Sequence, residues 1–140
     1  MNSCRLCIIS AALVLGLAIL GCSSDGPTPS ASYVTVGVEE TFDRLNAGEG
    51  AQIVDVREPS EWATTGVPPG AVLMPLGQLE QRASGELAKD KPVYVICNSG
   101  NRSRTGASTL VKLGYGEVYN VEGGIQAWLR ADLPVEKYVP

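Results

Sequence analysis

Residues 92–96 (PVYVI) form an almost wholly apolar run that ends at Cys97. A strand without polar alternation is one buried on both faces, and that setting belongs to parallel sheets covered by helices on each side. Parallel strands need crossover helices between them, and the rest of the chain supplies the alternation. Tyr33–Val36 is β-prone, and Val38, Phe42 and Leu45 then recur at helical spacing, with Glu39 and Glu40 in the first turn and Gly48 as a stop. Gln52–Val56 predicts the next strand, and Pro59 opens a short helical piece through Trp62. After the GVPPGA loop (residues 66–71), Ala71–Met74 reads as a third strand, and Leu76, Leu79 and Ala83 as one face of a short helix. Ala107, Leu110 and Val111 mark the inner face of a helix that ends near Gly114. Val118–Val121 is the last strand, and Ile125, Trp128 and Leu129 lie on a final helix before Pro134. Residues 33–140 are therefore expected to form one α/β domain, a central, mainly parallel five-stranded sheet flanked by helices.

Composition narrows the function. The chain has 140 residues, room for one such domain, and its 44% hydrophobic against 19% charged residues suit a packed core. The formal charge is −4, from 11 basic and 15 acidic residues, which argues against a nucleic-acid partner because phosphate recognition needs a basic footprint. There is no histidine. That removes Ser–His and Cys–His catalysis, histidine-ligated zinc and any imidazole acid or base.

The first segment reads as an address. Leu6–Leu20 (LCIISAALVLGLAIL) carries no charge and follows Arg5, the grammar of a signal peptide and short for a stable membrane span. It ends Ile19-Leu20-Gly21-Cys22, which resembles the lipobox of bacterial lipoproteins, with Ile19 where leucine is usual and Leu20 bulky for its place. The resemblance implies a signal peptide over residues 1–21, cleaved before Cys22, and lipidation of Cys22. The protein is then exported and lipid-anchored to a bacterial membrane, facing the periplasm or the cell exterior. Two acyl chains anchor stably where one does not. The alternative is an ordinary cleaved signal or an uncleaved anchor. Residues 22–32, rich in Ser, Pro and Gly, read as a flexible tether. Cys4 and Cys7 would leave with the leader and Cys22 would carry lipid, so Cys97 is the lone thiol of the folded part. Loss of Arg5 leaves 10 basic against 15 acidic residues, so no polybasic membrane patch is expected.

In parallel sheets, ligands bind beyond the carboxyl ends of the strands. Cys97 stands there and opens the segment CNSGNRS (residues 97–103), which leads into a helix containing Arg104. The helix N-terminus contributes roughly half a positive charge. Gly100 lets the chain curl so that successive amides form an anion nest. Arg102 and Arg104 add positive charge, with only one of them needed at the pocket. All of this favours thiolate, so Cys97 is expected to be a nucleophile that needs no base. The competing reading is a buried structural thiol. Ser103 is placed to cap the helix, to hydrogen-bond the sulfur, or both. Two chemistries suit such a cradle, phosphate-ester cleavage and sulfur transfer. Cysteine phosphatases place a bidentate arginine six positions after the cysteine, and Ser103 occupies that place here. The shorter loop suits a terminal sulfur.

CNSGNRS matches the CxxGxRS loop of single-domain rhodanese-like sulfurtransferases, and the chain resembles that family over most of residues 33–140. DVREPSEW (Asp55–Trp62), GVPPGA (Gly66–Ala71) and NVEGGIQAW (Asn120–Trp128) look like three further family segments in the right order. One departure is Val67-Pro68, where the family has His-Ile. The resemblance implies a small rhodanese-like fold and a two-step exchange through a Cys97 persulfide, with no metal or organic cofactor. The donor would be thiosulfate or a persulfide and the acceptor cyanide or a thiol. Asn98, Ser99, Gly100, Asn101, Arg102 and Ser103 would form the loop that holds the persulfide. Asp55 is expected to accept hydrogen bonds or pair with a loop arginine; Asp55, Arg57 and Arg104 are supporting candidates, with Arg104 open between pocket and solvent. A sulfur-carrying or partner-binding module that turns over poorly is the second reading, and phosphatase or arsenate-reductase chemistry a distant third.

Overall fold

A computed structural model describes residues 32–140; the leader 1–21 with Cys4 and Cys7, the expected lipid site Cys22, and the tether up to residue 31 lie outside the described residues. The apolar run becomes β4 (Val93–Ile96), in which every residue is buried. It pairs in parallel with β2 (Gln52–Asp55) on one side and β5 (Val118–Val121) on the other. β1 (Val34–Val36) and the two-residue β3 (Val72–Leu73) form the edges, giving the order β1-β5-β4-β2-β3 with every pairing parallel. The helices α1 (Val38–Asn46), α2 (Pro59–Thr65), α3 (Leu76–Glu86), α4 (Asn101–Lys112) and α5 (Gly124–Arg130) follow the strands in turn.

Alternation along β4 divides the core. Val93, Val95 and Cys97 face a cluster with Leu79 and Ala83 of α3 and Ala107 and Leu110 of α4. Tyr94 and Ile96 face the opposite cluster, with Val38 of α1 and Ile125 and Trp128 of α5. An apolar stripe on a helix is thus matched to each face of one strand, which is why β4 lacks polar positions. Trp128 seals the second cluster; its ring meets Phe42 edge-on at 5.8 Å, and its indole N–H donates to the Pro134 carbonyl at 2.9 Å.

The structure corrects several local expectations. The helix after Pro59 runs on to Thr65 because Glu58 and Glu61 form a capping box and Pro59 takes the first helical position. Leu129 is 38% exposed, since Ile125 and Trp128 already fill the inner stripe of this short helix. The five-stranded sheet is as expected, with every strand pairing parallel, and an isolated antiparallel bridge joins Val67 to Glu136 outside it. Val67, the departure from the family pattern, is buried and pairs with the C-terminal tail through two backbone hydrogen bonds of 3.0 and 2.8 Å.

Two substitutions test the core. Trp128→Ala should cost about 3–5 kcal/mol, read by urea unfolding, through the cavity it leaves. The buried Tyr115 hydroxyl meets the carbonyl oxygens of Ala83 and Leu87 at 2.7 and 3.1 Å, at the edge of the sheet opposite Cys97. Tyr115→Phe should therefore cost about 1 kcal/mol and leave the alkylation rate of Cys97 unchanged.

Candidate functional site

Cys97 follows the last residue of β4 and is 1% exposed. Its sulfur accepts the Gly100 amide at 3.1 Å and lies 3.4 Å from the Ser103 hydroxyl oxygen. The return of the chain is made by Gly100, the N-cap of α4, in the left-handed region at φ +100°, a conformation that L side chains rarely adopt. The loop carbonyls are held away from the sulfur by the start of α5. Ile125 N–H donates to the Cys97 carbonyl at 2.8 Å and Gln126 N–H to the Asn98 carbonyl at 3.2 Å. Carbonyls bound on the outside leave amides free to face inward. Gly124 makes this approach possible: a β-carbon there would overlap the Cys97 carbonyl oxygen.

The electrostatics follow from this geometry. Burial pushes the Cys97 thiol up, but the Ser103 hydroxyl and the amides of Ser103, Gly100 and Ser99 outweigh it, and the thiol lies below its ordinary value. The sequence reading gave part of that effect to Arg102 and Arg104. In the structure the largest contributions come from neutral dipoles; Arg102 still acts on Cys97 through its charge, while both guanidiniums take their close partners elsewhere. Arg102 donates to both oxygens of Glu61 at 2.7 and 2.6 Å, and that hydrogen bonding holds the Glu61 carboxyl at about 2. Arg104 stands half exposed with Glu122 at 3.7 Å, on the solvent side rather than in the ring.

Of the two roles expected for Asp55, the structure shows the first: it accepts hydrogen bonds, from Arg57, and does not pair with Arg102 or Arg104. Both are fully buried at the end of β2. The Arg57 Nε–H reaches the two Asp55 oxygens at 2.9 and 3.0 Å, while its terminal nitrogens donate to Thr65 Oγ1 at 2.6 Å and the Gly66 carbonyl at 2.8 Å. This pair ties the strand end to the far end of α2, and removal of either partner would strand a buried charge. Ser103 lies inside the first turn of α4 rather than at its cap. Asn98 borders a cleft of about 310 Å³ also lined by Arg57, Ser60, Glu61, Thr64 and Thr65. Ser99 and Asn101 are exposed.

Three contributors were not singled out from sequence. Glu61 clamps the loop arginine and caps α2; its signal was the acidic residue three places after Glu58, ahead of the Trp62 anchor. Asn120 is fully buried on β5, where its amide oxygen accepts from the Ser103 hydroxyl at 2.7 Å; a polar residue inside the apolar VYNV strand was the signal. The amides of Ile125 and Gln126 carried no side-chain signal at all.

Comparison with known proteins places the chain in context. The family model for the Rhodanese-like domain matches residues 38–131. A sulfurtransferase from Allochromatium vinosum is 40% identical over 97 residues, covering 69% of this chain and 89% of that one. The thiosulfate sulfurtransferase GlpE of Vibrio cholerae is 36% identical over 86 residues, 61% of this chain and 79% of the relative. The match to YrkF of Bacillus subtilis, named as a candidate sulfur carrier, is 36% over 99 residues; it covers 71% of this chain but only about half (52%) of that longer protein. Among solved structures, the rhodanese-like domain protein of Staphylococcus aureus superposes with a TM-score of 0.64 at 30% identity, covering 74% of this chain and 98% of that one.

The site generates two predictions. Gly124→Ala should displace the Cys97 loop, and alkylation of Cys97 at neutral pH should slow several-fold with a visible drop in melting temperature. For Glu61, whose carboxyl is depressed, the stabilisation is present above the ordinary carboxylate range and lost as pH falls toward about 2. The stability gap between wild type and Glu61→Gln, no more than about 1 kcal/mol for a pair this exposed, should narrow steadily below about pH 4 in urea titrations.

Proposed function

Because the chain belongs to the rhodanese-like domain family, we propose that it is a sulfurtransferase that carries sulfane sulfur on Cys97. The observation that supports this most directly is a buried, depressed thiol whose sulfur is met by a hydroxyl and loop amides, with the Arg102 guanidinium hydrogen-bonded to Glu61. A phosphate dianion calls for a bidentate cation in the ring, and Arg102 is committed to Glu61. A single terminal sulfur asks for less charge and less room.

In the first step the Cys97 thiolate attacks the outer sulfur of thiosulfate or a related donor. A sulfur–sulfur bond forms at Cys97, the donor's own bond to that sulfur breaks, and the electron pair leaves with sulfite or with the donor thiolate. The loop amides stabilise the charge on the new terminal sulfur, a preorganised role that needs no reorientation during the step. In the second step a nucleophile, cyanide or an acceptor thiolate, bonds to that terminal sulfur and the electron pair returns to Cys97. The cleft lined by Arg57, Ser60, Glu61, Thr64, Thr65 and Asn98 is where donor and acceptor would approach. On the lipoprotein reading of residues 1–22, this exchange takes place at a bacterial membrane surface outside the cytoplasm.

The test is the intact mass of the purified chain before thiosulfate, after it, and after subsequent cyanide. The expected result is a gain of one sulfur atom, reversed by cyanide and absent in Cys97→Ala, with the variant still folded by circular dichroism. Residual turnover above a few per cent in Cys97→Ala would remove this residue from the mechanism. Loading without multiple turnover would favour a sulfur-carrier role. Aryl phosphates should not be hydrolysed, and cleavage lost in Cys97→Ser would replace this reading with a phosphatase.

A further inference from the structure

The Ser103 hydroxyl, fully buried, has three neighbours able to accept its single proton. Asn120 Oδ1 lies at 2.7 Å, the Gly100 carbonyl at 3.0 Å and the Cys97 sulfur at 3.4 Å. When Cys97 is a thiol, the count is satisfied: the S–H donates to Ser103 Oγ, and the Ser103 proton goes to Asn120. When Cys97 is a thiolate, the sulfur becomes an acceptor and asks for the same proton. Asn120 then loses its partner, because its amide oxygen is buried and its amide nitrogen is directed to Thr35 Oγ1 at 3.3 Å on the neighbouring strand. One proton cannot serve both acceptors, and a buried acceptor left without a donor is costly.

We propose that Asn120 is a positioning residue that competes with the Cys97 sulfur for the Ser103 proton, and so sets the balance between free thiolate and sulfur-loaded Cys97. The loaded half of this inference rests on the sulfurtransferase reading. Once sulfur is carried, the negative charge moves outward to the terminal sulfur and toward the loop amides. The inner sulfur is then an uncharged sulfide and a weak acceptor, so the Ser103 proton returns to Asn120. Loading therefore restores a hydrogen bond that the free thiolate had broken. Asn120 favours the loaded state by making the unloaded thiolate less well satisfied.

The charged groups on the surrounding elements are paired with one another, and the charge of Arg102, which favours the thiolate, is the same in every Asn120 variant. Asp55 and Arg57 at the end of β2 pair with each other, Glu61 of α2 pairs with Arg102 of α4, and Glu122 after β5 stands with Arg104 of α4. Substitutions at Asn120 leave all six in place.

The experiment measures the pH dependence of Cys97 alkylation by iodoacetamide in the full chain, for wild type, Asn120→Ala, Asn120→Asp, Ser103→Ala and the two Asn120 variants combined with Ser103→Ala. Asn120→Ala frees the proton for sulfur, and its alkylation midpoint should move down by about half a pH unit, roughly three times more thiolate in the titrating range. Asn120→Asp, nearly the same shape, holds the proton more strongly and should move the midpoint up. Both shifts should shrink by at least half in the Ser103→Ala background. A purely packing role for Asn120 would move both variants the same way, and that result overturns the proposal. An upward shift in Asn120→Ala also overturns it, since it would mean that the amide nitrogen of Asn120 faces Ser103 and supports the thiolate. Should Asn120→Ala fail to fold, the Asn120→Asp pair with and without Ser103 decides by itself. The loaded half is read separately, as the ratio of sulfur-loaded to unloaded protein at fixed thiosulfate and sulfite concentrations and a pH above the alkylation midpoint, which Asn120→Ala should lower about threefold. A wild-type protein that takes up no sulfur from any donor overturns the sulfurtransferase reading, while the alkylation result still judges the competition for the proton.

Discussion

The burial of β4 on both faces is the constraint from which the rest of the molecule follows. A strand whose four residues are all buried must have strands on either side and helices above and below. Those helices can only be supplied by crossovers between parallel strands. Parallel strands in turn place all their carboxyl ends on one edge, and the loop after the central strand becomes the deepest position on that edge. Cys97 stands there. Its place in the core, with Val93 and Val95 on the α3/α4 face, is what holds its sulfur almost dry at the strand ends.

A dry thiolate is stable only if something replaces water, and here the replacement is mostly backbone. The amides of Ser99, Gly100 and Ser103 and the hydroxyl of Ser103 offset the burial of the sulfur. They can do so because α5 binds the outward carbonyls of Cys97 and Asn98, so the peptide planes of the loop are fixed from both sides. The guanidiniums of Arg102 and Arg57 serve as struts. Arg102 joins the start of α4 to α2 through Glu61, and Arg57 joins β2 to the end of α2 through Asp55, Thr65 and Gly66. Both struts meet α2, so the short helix with its proline start and capping box is the piece that aligns two sides of the cleft.

Much of this is legible in the amino-acid sequence alone. The five strands and five helices came from apolar spacing, and the larger misses have local causes. The helix at Pro59 ran on because a capping box stabilised its start. Leu129 faced outward because a helix of seven residues presents a narrow inner stripe. The cysteine loop was legible because its parts are contiguous: strand end, glycine in the left-handed region, helix start. The side-chain partners of the arginines were not. Proximity of the arginines to the cysteine in sequence says nothing of their side-chain partners, such as Glu61, which lies 41 residues from Arg102.

The sequence by itself therefore determined the fold class, the edge of the sheet where the candidate site lies and the cysteine at that edge, because each is set by periodicity or by direct chain adjacency. Tertiary structure decided which groups set the state of the sulfur. Ser103 meets Asn120 across 17 residues of sequence, through the register that lays β5 beside β4, and the start of α5 reaches the loop only after the chain has passed through that strand. Pairings of this kind depend on distances in three dimensions, and linear spacing carries no record of them.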